Sequence, residues 1–124
     1  KGKSFEEAIE DGALAMLSLM FETEELTPSV KITFSKEASS EELLFIEVLN
    51  EILFIQDAHT IAASSLTVDE IKSDDSQLRA ICTLSAEPFT DALTVKTEVK
   101  AATYSGLKYE IKESEHMLQC ILDV

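Results

Sequence analysis

At 124 residues, 45% of them hydrophobic, the chain is long enough for one domain with a single core and too apolar to stay disordered. Its formal charge is −14, from 24 acidic against 10 basic residues, with Arg79 the sole arginine. That balance excludes strong nucleic-acid binding through phosphate neutralisation; it suits a basic protein surface, a cation, or plain solubility.

Ser4 and Glu7 have capping-box spacing, and Glu6, Glu7 and Glu10 put negative charge where a helix dipole favours it. Phe5, Ile9, Gly12, Met16 and Met20 recur at helical spacing, which predicts an amphipathic helix over residues 5–20 with its stripe in the core. Pro28 stops any continuation. Val30, Ile32 and Phe34 then alternate with Lys31 and Thr33, the pattern of a half-buried strand. Residues 39–57 form the central helix. Ser39 and Glu42 have capping-box spacing, and Ser40 is an alternative N-cap. Apolar residues run from Leu43 to Ile55 and leave a narrow polar stripe of Glu47, Asn50 and Glu51. A helix this apolar is covered on most sides by its own protein. It is no membrane anchor, since a span needs about 20 apolar residues without such interruptions.

Residues 66–71 and 77–84 alternate next, with Leu66 and Val68, then Leu78, Ala80, Cys82 and Leu84, on one face. The turn Ser73-Asp74-Asp75-Ser76 joins them as an antiparallel hairpin. Residues 85–97 read as a loop around Pro88. Strands follow at 98–103 and 107–112, separated by a break at Ser105-Gly106, and at 117–124. Helix, strand, helix and four or five further strands predict one domain over residues 1–124. Its class is α+β: a two-layer sandwich, two main helices packed on one face of a mixed, mostly antiparallel sheet of five or more strands.

No CxxC pair, HExxH, Gly-rich phosphate loop or GxSxG is present. Cys82 and Cys120 sit in alternating apolar runs and read as buried small hydrophobes of a reducing cytosol. His59 and His116 read as solvent-exposed loop histidines with no ligand spacing. No signal-peptide core appears; a start at Lys1 leaves a removed leader open. One constellation stands out. Asp57 ends the central helix and Asp123 lies on the last strand, so two carboxylates and a main-chain oxygen would suit a hard cation, calcium or magnesium. The competing reading is two unrelated surface acids.

The helix at 39–57, the segment Glu98-Val99-Lys100-Ala101-Ala102-Thr103-Tyr104 and the ending Ile121-Leu122-Asp123-Val124 together resemble the archease family. Lys3-Ser4-Phe5-Glu6-Glu7-Ala8 and Ala13-Leu14-Ala15-Met16 resemble its first helix, and Ala86-Glu87-Pro88-Phe89 its G-E-P loop. The likeness runs through nearly the whole chain in order. It implies a non-catalytic protein cofactor of the GTP-dependent tRNA-splicing RNA ligase, one that promotes ligase guanylylation and multiple turnover in the cytoplasm. It implies a divalent metal, calcium, held by Asp123 and Val124 with an N-terminal aspartate, and a link between Lys100 and activity. A chaperone-like modulator of a tRNA methyltransferase, a role suggested for the family, is the first alternative; a calcium-binding structural domain is the second.

The family's opening strand, with its D/E-H-T-A-D motif and N-terminal ligand, has no counterpart here, because the chain begins just after it. Ser105 stands for the histidine after Thr-Tyr, Ala86 for the glycine of G-E-P, and Asp91-Ala92-Leu93-Thr94 for the following histidine loop.

Overall fold

A computed structural model describes residues 2–124. The order of elements is α1 (Phe5–Met20), a 3-10 turn (Thr23–Glu25), β1 (Val30–Ala38), α2 (Glu41–His59), β2 (Ile61–Asp74), β3 (Gln77–Pro88), β4 (Ala101–Lys112) and β5 (Glu115–Asp123). Both helices start where serine side chains predict. Ser4 Oγ accepts from Glu7 N–H at 3.1 Å, and Ser40 Oγ accepts from Leu43 N–H at 3.2 Å. Ser40 is therefore the N-cap of α2, and Ser39 lies outside it.

The core is built on α2. Leu44, Ile46, Val48, Leu49 and Ile52 are fully buried, and each such side chain contributes about 1.5–3 kcal/mol relative to exposure. Phe54 departs from that pattern: it is 64% exposed, on the same side as Glu51 and Asp57. The helices meet at Gly12, where an added Cβ would stand 2.5 Å from the Phe45 ring. A glycine in mid-helix is costly, and that close approach is its reason.

The two helices pack against antiparallel sheets, which confirms the α+β class. The single large sheet is corrected. β1, β3 and β2 form one sheet in that order, β4 and β5 form another, and among the described residues no strand pair is parallel. α1 lies against β2 and β5, while α2 reaches strands of both sheets. Hydrogen bonding supplies the reason for the split. Asn50 on α2 donates from Nδ2 to the Ala102 carbonyl at 3.0 Å and accepts from the Ala102 N–H at 2.8 Å. These Ala102 groups of β4 are thus satisfied by a helix side chain rather than by another strand.

The same device recurs on β2. Its register slips between Ala63 and Ser65 and again between Val68 and Glu70. At the first slip Gln56 Oε1 accepts from Ala63 N–H at 3.0 Å; at the second Glu10 Oε2 accepts from Val68 N–H at 2.7 Å. β4 slips between Thr103 and Lys108, directly after Ala102. The predicted break at Ser105-Gly106 is therefore a bulge inside one strand, with Gly106 at φ 64°.

His116 is also corrected. It lies in β5 and is half-buried: its Nδ1 is 2.6 Å from the Tyr109 hydroxyl, its ring stacks on Tyr109, and its main chain bridges to Gly2.

Asn50→Ala leaves a main-chain donor and acceptor in α2–β4 packing without partners. It is expected to lower unfolding free energy by roughly 1–3 kcal/mol in a urea titration. An unchanged midpoint would show that water replaces the amide at no cost.

Candidate functional site

The strand-end residues come together in part. Lys100 precedes β4 and is exposed, and its N–H donates to the Asp123 carbonyl at 2.7 Å. Asp123 closes β5, is exposed, and is followed by exposed Val124. Asp57 lies in the last turns of α2, also exposed. It faces a different neighbour from the one its sequence position suggests. A cavity of about 230 Å³ is lined by Met20, Leu53, Gln56, Asp57, Glu98, Val99 and Lys100. Asp123 and Val124 do not line it.

A larger cavity of about 460 Å³ adjoins the first and shares Met20, Gln56, Asp57 and Glu98 with it. Its other walls include Phe21, Thr60, Ile61, Phe89 and Val95. Phe21 and Phe89 meet edge to face at 6.3 Å, and Phe89 N–H donates to the Thr60 carbonyl at 2.9 Å. Thr60 caps α2 at φ 53°, a left-handed conformation that a β-branched residue rarely adopts. The segment 89–100 is held over the end of α1 by Lys96. Its N–H donates to the Met20 carbonyl at 2.8 Å, and its Nζ donates to the Ser18 carbonyl at 2.9 Å and lies 3.3 Å from Glu22. Sequence reasoning marked residues 85–97 as a loop and started a strand at 98, whereas β4 begins at Ala101. Phe89, Leu93 and Val99, apolar residues inside a polar stretch, are the signal that it packs.

The cation expectation can be tested against the donors present. Calcium takes six to eight oxygens. The end of β5 offers the Asp123 carboxylate and oxygens of Val124. Among the described residues no group of three or more His, Cys, Asp or Glu side chains could hold a metal. The described residues do not fit a calcium site by themselves, and no step below runs through a metal.

With this geometry in place, comparison with known proteins is decisive. The sequence profile of the Archease protein family matches residues 1–124. The chain belongs to the archease family. The archeases of Methanosarcina mazei and Methanosarcina barkeri are each 24% identical to it, over 99% of this chain and 85% of theirs. Two solved structures share the fold. The solution structure of a Methanobacterium thermoautotrophicum protein superposes with TM-score 0.80 at 24% identity, covering 97% of this chain and 87% of that one. The crystal structure of an archease from Thermotoga maritima, described as a possible chaperone, gives 0.61 at 18% identity, covering 99% and 85%. Among the described residues, no helix is long and apolar enough to cross a membrane.

Both cysteines are free thiols in this archease. Cys82 is fully buried, and its pKa is pushed from the ordinary 9.0 up to about 12, by burial first and then by Asp69 and Glu10. Burial also raises Cys120, which is half-buried. Neither is primed as a nucleophile. The unfolded chain ionises Cys82 near pH 9 while the folded chain keeps the proton to about 12, so stability falls as pH rises through that window. Urea midpoints at about pH 8 and about pH 11 are expected to show this decline, on the order of 1 kcal/mol per pH unit from this thiol, and Cys82→Ala should remove that share.

Proposed function

We propose that this archease is a non-catalytic protein cofactor of a GTP-dependent tRNA-splicing RNA ligase, promoting ligase guanylylation and multiple turnover in the cytoplasm. The observation that carries the reading is the bond from Lys100 N–H to the Asp123 carbonyl. It joins Lys100, which the family resemblance links to activity, to Asp123, which the resemblance names as a metal ligand, on an exposed strand end where a partner can reach both. The charge supports a protein partner over RNA. A chain at −14 approaches a basic ligase surface under electrostatic attraction and is repelled by phosphates.

In this reading the exposed Lys100 ammonium supplies a positive charge at the partner's nucleotide site, where it offsets charge that develops on the triphosphate as it reacts. Main-chain bonding to β5 fixes where the lysine stem starts. A divalent metal, calcium by resemblance, would be held by Asp123 and Val124 together with the N-terminal aspartate that the resemblance implies. When bound, it would supply charge neutralisation of the same kind.

A second reading rests on the likeness to the Thermotoga maritima archease, described as a possible chaperone. On it, the chain modulates the site choice of a tRNA methyltransferase.

The deciding assay is multiple-turnover ligation of 3′-phosphate and 5′-hydroxyl RNA ends by a cognate ligase, with this chain well below the ligase concentration. Turnover is expected to rise. Asp123→Ala should abolish the rise, and Lys100→Ala should cut it by about tenfold or more, the scale of losing one well-placed charge. No stimulation at any ratio would end the ligase reading and leave the methyltransferase one.

A further inference from the structure

We propose that the groove formed by the two adjoining cavities is a docking site for a protein segment that carries a lysine or arginine beside an aliphatic or aromatic side chain. The proposal rests on the reading that this chain works by binding another protein, and it adds where and by what chemistry.

Four observations support it. First, the groove has the size of a built site: its main chamber of about 460 Å³ falls within the roughly 300–1,000 Å³ usual for ligand pockets. Second, its apolar end is open. Phe21 is buried and braced edge to face by Phe89, while Val95 remains 45% exposed at the mouth. Third, the polar group on its floor is already satisfied. Gln56 is buried, with Oε1 accepting from Ala63 N–H and Nε2 within 3.7 Å of Met20 Sδ, so the floor asks for an apolar occupant. Fourth, its charge is only partly compensated from within. Asp57 and Glu98 border both chambers, among the described residues neither is in an ion pair, and Lys100 lines the smaller chamber alone. Lys96, as near to Glu98 in sequence as Lys100 is, is committed to Ser18 and Glu22.

Charge complementarity therefore selects the occupant. An incoming cation finds two carboxylates at the waist of the groove, and the apolar side chain beside it fills the chamber walled by Phe21, Ile61, Phe89 and Val95. Lys100 lines the smaller chamber only, which gives the groove a direction. A bound segment runs with its basic residue at the waist and its apolar residue away from Lys100. Nucleic acid would meet the same carboxylates with like charge.

The test is an amide NMR titration of the whole chain with two synthetic hexapeptides, one alternating lysine and leucine, the other alternating glutamate and leucine. The lysine peptide is expected to shift Gln56, Phe89, Val95 and Glu98. The double variant Asp57→Lys, Glu98→Lys should weaken it by at least about tenfold; both residues are exposed, so the variant should fold. Val95→Asp provides a second check on the apolar end. Three results would overturn the proposal: no shift in the groove, shifts scattered over the acidic surface without localising there, or equal binding of the glutamate peptide. Ligation turnover measured in parallel separates the two readings. Groove binding without stimulation of any ligase keeps the groove and removes the ligase. Stimulation that survives charge reversal, with no groove shifts, does the opposite.

Discussion

Glu10, Asn50 and Gln56 each reach out of a helix to bond a strand's main chain, Glu10 and Gln56 beside the two register slips of β2 and Asn50 at Ala102, shortly before β4 slips. An edge strand or a bulge leaves main-chain groups that no ladder pairs. Left unpartnered and covered by a helix, such a group would cost about 1–3 kcal/mol. One carboxylate and two amides remove that cost at Val68, Ala102 and Ala63. They also fix how the helices sit on the strands, because a side-chain bond to the main chain does not slide. The division into two sheets, the irregular register of β2 and the placing of the groove beside Gln56 all go with these contacts.

The candidate site follows from the same arrangement. Gln56 is tied to β2, so the end of α2 is fixed, and Asp57 borders the groove from there. β3 ends at Pro88, and the following segment crosses to α1 through Phe89 and Lys96 before Lys100 meets the end of β5. Three regions far apart in the chain (the ends of α1 and α2 and residues 89–100) thus line one opening. The strand-end pair of Lys100 and Asp123 sits beside that opening, with only the lysine reaching its wall.

Much of the fold was legible in the sequence because burial leaves a period. The stripe from Phe5 to Met20, the alternation in β1 and β3, and the apolar run of α2 all located real elements; Ser4 caps α1 where the capping pattern puts it, while α2 takes the alternative Ser40 in place of Ser39. What was not legible depends on contacts between distant residues. Nothing in the order of elements says that five strands divide into three and two, since that division turns on an amide at Asn50 meeting Ala102. The histidine at 116 looked like a loop residue because its partners, Tyr109 and Gly2, are not its neighbours in sequence. The resemblance named Lys100 and Asp123, and they do touch through the main chain. Pairing Asp57 with Asp123 rested on both being acidic ends of elements; the fold instead sets Asp57 beside Glu98.

The packing of α1 has a consequence for how the chain comes into being. The start of α1 closes against β4 and β5: Gly2 bridges to His116, the Phe5 ring lies tilted 5.3 Å from that of Tyr109, and α1 lies on β5 as well as β2. On the ribosome α1 emerges before β5. Until β5 arrives, the side of α1 that it covers has nothing to pack on. The three-stranded sheet and α2 can form early, but closure waits for β5. Contacts so distant along the chain make for slow folding and leave an apolar helix face uncovered meanwhile. The glutamates at positions 6, 7 and 10 keep that waiting helix charged as well as capped.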